Sequence, residues 1–151
     1  IPMYLIIYFD ISLYDFQVFF ARLTYEFLKL LGYKVELQDY FLKIYHNGIL
    51  HIEISKDSTG WKSLYLLSSL ILASPLVKFK NKMKFILVSL PLILFLNFLR
   101  IITTIILGLN FGLEYFDLAH TILWREGMII AVLLIWILWL YNALKIKKTK
   151  F

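Results

Sequence analysis

Three stretches of the chain stay apolar for close to the ~20 residues that a hydrocarbon core of about 30 Å requires: Trp61–Val77, Phe85–Leu107 and Ala119–Ala143. Each predicts a membrane-spanning helix. Upstream the pattern changes. Lys34–Leu37, Tyr40–His46 and Ile49–Ile54 are short, β-branched and aromatic, and Asn47-Gly48 between the last two is a strong signal for a two-residue hairpin turn. A small external β-meander is expected there. With that turn, Leu50, Ile52 and Ile54 share a face with Phe41 and Tyr45 and pack on the membrane domain, while His46, His51 and Glu53 share the other face. Leu13–Leu31 is helical in composition but carries Asp15, Arg22, Glu26 and Lys29, each costly at a bilayer centre. It either lies in the interface or spans with those charges turned toward protein. Ile1–Phe9 fits the end of an earlier span. It lacks the basic n-region of a cleavable signal peptide, and the chain opens without Met, as a fragment or trimmed chain would. No internal repeat, low-complexity stretch or Gly/Ser linker is visible.

These elements predict an integral membrane α-helical bundle of 3–5 transmembrane or interfacial helices, with the β-meander inserted before the first helix of the core. Residues 1–31 form N-terminal hydrophobic or interfacial helices, 33–55 the external hairpins and 58–144 a three-helix core, within one membrane domain spanning 1–151. Composition agrees. Hydrophobic residues make up 61% of the chain and its mean hydropathy is +0.77, well above the ~45–50% apolar usage of soluble domains. Lipid must absorb that surface. A net charge of +6 raises nucleic acid as a partner, but the lysines cluster beside apolar runs and not over an amphipathic face, which points to a membrane surface and against nucleic acid.

The clusters also orient the chain. Lys78-Phe79-Lys80-Asn81-Lys82-Met83-Lys84 joins the first two runs, and Lys145-Ile146-Lys147-Lys148-Thr149-Lys150 follows the third. Antiparallel connections put both on one side, and the positive-inside rule makes that side cytoplasmic. The segment before Trp61 and the loop Gly108–Leu118 then lie outside. Trp61 at one end, with Trp139 and Tyr141 at the other, suit the two interfacial aromatic belts.

Polar residues inside apolar runs need a reason, because burying them is expensive. Arg100 stands about seven residues before the outer end of the second span, roughly 10 Å deep at ~1.5 Å per residue. His120 is at the outer start of the third. Ser58-Thr59-Gly60-Trp61-Lys62-Ser63 leads into the first. A hydroxyl, a guanidinium and an imidazole thus reach one membrane face: a nucleophile, an anion stabiliser and a general acid/base.

Asp57-Ser58-Thr59-Gly60-Trp61-Lys62-Ser63-Leu64, then Asn97-Phe98-Leu99-Arg100-Ile101, then His120 closely resemble the three signature blocks of the exosortase/archaeosortase family, from roughly Gly32 to Ala143. Each block alone is weak. Their order and common membrane side make them specific together. The Lys- and Ile-rich composition looks more like an archaeal member than a bacterial one. The family's first block begins with Cys where this chain has Ser58, and the chain contains no cysteine. That excludes disulfides, thiolate metal sites and a cysteine nucleophile. Two readings follow: an engineered inactive Cys-to-Ser form, which is favoured, and a natural serine variant.

The resemblance implies a membrane-embedded, sortase-like cysteine transpeptidase. It would act at the extracytoplasmic face of the cell membrane on surface proteins whose C-termini carry a short motif, a transmembrane helix and a basic tail. Catalytic positions would be Ser58 (Cys in the family), Arg100 for the oxyanion and His120 for proton transfer. Thr59 and Gly60 would add backbone N–H donors, with Asn97 and Asp117 in support. Membrane lipid is the implied acceptor on the archaeal side of the family.

Each residue also has a plainer role. Ser58 could cap the first span. Arg100 could pair structurally with Glu126, which reaches a similar depth. His120 could be an interfacial histidine with Asp117 one turn earlier. Asn97, Ser68 and Ser69 suit helix packing. His46, His51 and Glu53 could hold a metal but read better as a solvated strand face, so no metal or cofactor is expected. A non-catalytic scaffold or accessory subunit of a surface-assembly system is the competing function class. A channel or transporter is disfavoured, because no inverted repeat or ion pathway is visible.

Overall fold

The computed structural model describes residues 13–148; the Ile1–Phe9 segment and the end of the second lysine cluster lie outside that range. Helix α1, Leu13–Leu30, buries Gln17, Phe20, Ala21, Thr24 and Leu28, a stripe at three- and four-residue spacing. Asp15, Arg22, Glu26 and Lys29 all lie on its exposed side. Gly32, at φ +87°, closes the helix: its N–H bonds to the Lys29 carbonyl and that of Tyr33 to the Leu28 carbonyl, a Schellman arrangement.

The chain then forms an antiparallel sheet in the order β1 (Lys34–Gln38), β2 (Phe41–Tyr45), β3 (Ile49–Glu53). The meander is as expected, but its faces are not. Tyr45 pairs with Ile49, so the turn holds His46, Asn47 and Gly48, one residue more than a two-residue hairpin. Because side chains alternate, that single residue exchanges the faces. Leu42 and Ile44 point inward opposite Ile52 and Leu50, while Phe41, Lys43 and Tyr45 share the outer face with Glu53 and His51. Burial explains the choice. Leu42 and Ile44 become fully buried aliphatics, whereas the two-residue register would have buried Lys43 beside Ile52.

A 3-10 turn, Lys56–Thr59, and Gly60 lead into α2, Trp61–Ala73. At 13 residues, or about 20 Å, α2 is shorter than a hydrocarbon core of about 30 Å. It ends at Ala73, short of Val77. Helix α3, Phe79–Phe111, is 33 residues long. Gly112 alone separates it from α4, Leu113–Thr121, so the expected Gly108–Leu118 loop is mostly helix. A π-helical segment, Ile122–Gly127, joins α4 to α5, Met128–Lys148. Among the described residues two helices, Phe79–Phe111 and Met128–Lys145, are long and apolar enough to cross a membrane. The third expected run, Ala119–Ala143, is therefore divided, with its first third in α4 and the π segment.

Two hydrophobic cores share α3. One joins Leu67 and Ile71 of α2, Ile93 of α3, and Met128, Val132, Ile135 and Trp139 of α5. The other packs Phe20 and Leu28 of α1 and the inner sheet face against Ile101 and Ile105 of α3. At the far end Phe85 meets Trp139, with ring centroids 6.1 Å apart. The lysine-rich ends of α3 and α5 therefore lie together, opposite the sheet. There Lys82 Nζ donates to the Leu72 carbonyl at 2.8 Å, satisfying the C-terminus of α2.

Candidate functional site

The junction of the two cores is where the polar residues gather. The turn before α2 is built locally. Ser55, in an extended conformation, caps the 3-10 turn with a hydroxyl that accepts from the Ser58 N–H at 3.3 Å. The Thr59 hydroxyl donates to the Lys56 carbonyl at 2.7 Å. Gly60, at φ +80°, is the residue before α2, and its carbonyl accepts from the N–H groups of Ser63 and Leu64. Ser58 is therefore not the cap of the first apolar helix. Ser55 and Gly60 hold the two capping positions, which leaves the Ser58 hydroxyl free of that duty.

Helix α3 grips this turn from the side. Asn97 Nδ2 donates to the Ser58 carbonyl at 2.7 Å and an Arg100 terminal nitrogen donates to the same oxygen at 3.1 Å. Asn97 and Arg100 are one helical turn apart and so reach one target. Both are buried, as is Ser58. The partner observed for the buried guanidinium is main chain, where depth along the helices had nominated Glu126. Glu126 stands exposed in the π segment. A Cβ on Gly60 would lie 2.9 Å from Asn97 Cγ, so the close approach of α3 to the turn requires glycine. Asn97 Oδ1 is buried and makes no hydrogen bond among the described residues.

His120 comes from α4, its ring parallel to that of Phe116 at 6.2 Å. Phe116 in turn packs onto Gly108, where a Cβ would come within 2.9 Å of it. This contact seats α4 against the end of α3. His120 lies outside both apolar spans. Burial lowers its pKa below the ordinary 6.5, the positive charge of Arg100 lowers it further, and Asp117 opposes both. The neutral imidazole is thereby favoured.

Ser58, Arg100 and His120 all line one cavity of about 300 Å³, walled by His51–Ser55 of the sheet side and by Ile101, Thr104, Ile105 and Phe116. A second hollow of about 180 Å³ lies between α2 and α5 and also meets Arg100, with Lys62 and Gly60 at its edge. Lys62 pairs with Asp57 at 2.7 Å. Of the residues singled out in the sequence, Ser58, Arg100 and His120 share the cavity. Asn97 and Gly60 brace its wall. Thr59 is buried with its hydroxyl bonded locally, and Asp117 acts on His120 from an exposed position.

Ser55 was missed. Its hydroxyl lies 2.9 Å from that of Ser58, within hydrogen-bond distance of the candidate nucleophile. The Ser-x-x-Ser spacing before an apolar run was the available signal. Among the described residues no cluster of His, Cys, Asp or Glu could hold a metal.

A family model for the transmembrane exosortases matches residues 1–140. No curated protein and no solved structure matches the chain.

Proposed function

The chain belongs to the transmembrane exosortase family, and from that premise we propose that it is a sortase-like enzyme acting on C-terminal sorting signals of surface proteins at the outer membrane face. A membrane-embedded processing role follows from the family; the signal, the chemistry and the acceptor are our reading. The observation that carries it is the single cavity onto which Ser58, Arg100 and His120 open from the turn, α3 and α4.

In the cysteine form of such a site, the thiol at position 58 gives its proton to the neutral His120, and the resulting thiolate attacks the carbonyl of the scissile peptide bond. The resulting oxyanion is held by Arg100, whose guanidinium keeps donors beyond the one given to the Ser58 carbonyl. Backbone N–H groups of Thr59 and Gly60 add to that stabilisation. Collapse gives a thioester and expels the amine, which takes its proton from His120. An acceptor nucleophile, with a lipid headgroup as the favoured class, then attacks the thioester, gives its proton to His120 and regenerates the thiol. In the present chain the position holds Ser58, whose hydroxyl stays protonated near neutral pH where a thiol can ionise, and we read it as an engineered inactive form, with a natural serine variant as the alternative. The lysine-rich ends are cytoplasmic, which puts the sheet and cavity outside.

The competing reading, a non-catalytic scaffold, draws support from the Ser58 hydroxyl itself, which is buried and hydrogen-bonded to Ser55. Co-expression of the Ser58→Cys protein with proteins carrying a motif, a transmembrane helix and a basic tail separates the two. Loss of the C-terminal helix from such a protein, seen by mass, is the expected result; intact masses with every candidate favour the scaffold.

A further inference from the structure

Among the described residues the sheet has a free edge at β3, and that edge is a wall of the cavity. The Ile54 N–H bonds to the Tyr40 carbonyl and the His46 N–H to the Gly48 carbonyl. In an antiparallel ladder bonded and non-bonded pairs alternate, so Ile52 and Leu50 also turn their main-chain groups toward β2. The main-chain groups of His51 and Glu53 therefore point the other way, off the sheet. On that side lies the cavity that Ser58, Arg100 and His120 share, and a second groove of about 710 Å³ on the outer sheet face meets it at His51, Ile52 and Glu53. Strand β1, the opposite edge, contributes none of the cavity's described lining.

An open edge strand is a template for another strand and is usually covered, bulged or very short. Here it runs toward the candidate nucleophile, with Ser58 five positions past its last residue. We propose that β3 receives the substrate's recognition segment as a fourth strand, pairing with the outward main-chain groups of His51 and Glu53 and so delivering the scissile carbonyl to position 58. This rests on the processing function proposed above and names how its substrate is held. Strand addition supplies affinity through main chain and specificity through alternate side chains. One set of substrate side chains meets His51 and Glu53 on the outer face. The other set meets Ile101, Ile105 and Phe116. The segment that fits is extended, free of proline at its paired positions, and alternates polar with apolar residues.

The test uses the full chain in lipid nanodiscs and, as probe, a synthetic peptide covering the motif segment of a tripartite-signal protein that the Ser58→Cys form cleaves. Amide hydrogen exchange at His51 and Glu53 should slow when the peptide is added to the Ser58 form. N-methylation of the peptide at alternate amides should weaken binding about tenfold in one phase of the alternation and little in the other, as loss of a hydrogen bond or two predicts. Glu53→Pro in the Ser58→Cys background removes an outward N–H without touching the β2 ladder, and should raise KM about tenfold with kcat little changed. The N-methylated peptides leave the protein unaltered, so a misfolded proline variant does not decide the matter. Cleavage of the protein substrate with no protection at His51 and Glu53 and no N-methyl phase overturns strand addition and leaves the processing function standing. If no tripartite-signal protein is cleaved by the Ser58→Cys form, both fall.

Discussion

The Arg100 guanidinium donates to the carbonyl oxygen of Ser58 at 3.1 Å, so the only arginine on the long apolar helix is tied to the main chain of the candidate nucleophile. The bond does two things at once. It gives a buried cation a hydrogen-bonded reason to be there, and it fixes the distance between the charge and whatever is bound to the residue 58 side chain. A structural and a catalytic role for Arg100 are therefore not alternatives, and substitution must be read on stability and rate separately.

Arg100→Lys in the Ser58→Cys background keeps the charge and loses the planar fork that can serve the Ser58 carbonyl and an oxyanion together. The expected outcome is folded protein at near-normal yield with cleavage slowed about 100-fold or more, the scale of losing an oxyanion donor. If the variant instead unfolds and its surviving molecules cleave at full rate, the guanidinium is structural. Glu126→Gln then becomes the informative companion: equal destabilisation by both changes would establish the ion pair inferred from helix depth.

Gly60→Ala should destabilise the fold by about 1–3 kcal/mol, because it combines a left-handed backbone position with a Cβ 2.9 Å from Asn97 Cγ. Thermal or denaturant unfolding in detergent measures it. Asn97→Ala in the same background should recover part of the loss by opening the space, giving a non-additive double-mutant cycle. Strict additivity would mean that the contact between the turn and α3 carries no energy.

Much of this site was legible in the sequence, and what was not has identifiable causes. Ser58, Arg100 and His120 stood out because polar groups at the edges of apolar runs need explanations. The register of β2 and β3 did not, because Asn47-Gly48 suits a two-residue turn and a loop only one residue longer reverses every side chain. Burial of Leu42 and Ile44 against α1 decided it, and that is a tertiary fact. Gly108–Leu118 is expected as a loop because it lies between the second and third apolar runs. The Phe116–Gly108 contact holds it helical instead. Trp61–Val77 was read as a full span from hydropathy alone, and α2 stops at Ala73 before Ser74-Pro75, where the residue preceding proline leaves the helical region.

His120 should titrate below 6.5, since burial and then Arg100 both lower its pKa and only Asp117 raises it. Removing Asp117 with Asn should move the midpoint further down, and Arg100→Gln should move it up. Imidazole proton shifts in a 13C-labelled sample give the midpoints. The sign for stability follows: the folded state favours the neutral ring, so this contribution is present above the unfolded midpoint and is lost as pH falls through the folded one. A midpoint above 6.5 in the Ser58 form would contradict the arrangement.

The chain's lack of cysteine makes topology directly readable. Single cysteines at Lys80 and Lys147 should react with an impermeant thiol reagent only after the cytoplasmic side is opened, while one at Asn47, in the turn between β2 and β3, should label from outside. Labelling of Asn47→Cys only from the cytoplasm would invert the assignment and take the outer-face site with it.

The proposed function turns on Ser58, where one atom separates the present side chain from a cysteine nucleophile. Ser58→Cys replaces a buried hydroxyl 2.9 Å from that of Ser55 by a slightly larger thiol. Fold and topology should hardly change, at a cost of about 1 kcal/mol or less. Reactivity should change greatly. The thiol faces a cavity shared with Arg100 and His120, and a neighbouring cation favours thiolate, so alkylation should rise with pH through a midpoint below the ~8.5 of a free cysteine. Because the thiolate would also favour the imidazolium, the His120 midpoint should rise in the cysteine form relative to the serine form. Cleavage of a matching tripartite-signal substrate should appear with an acyl-enzyme sensitive to hydroxylamine, and His120→Ala should abolish turnover in that background. A thiol that alkylates like a free cysteine and cleaves nothing, while the Ser58 form performs the reaction, would identify a natural serine enzyme. Inactivity of both forms would leave the scaffold, with Asn97 and Arg100 serving only to hold the turn.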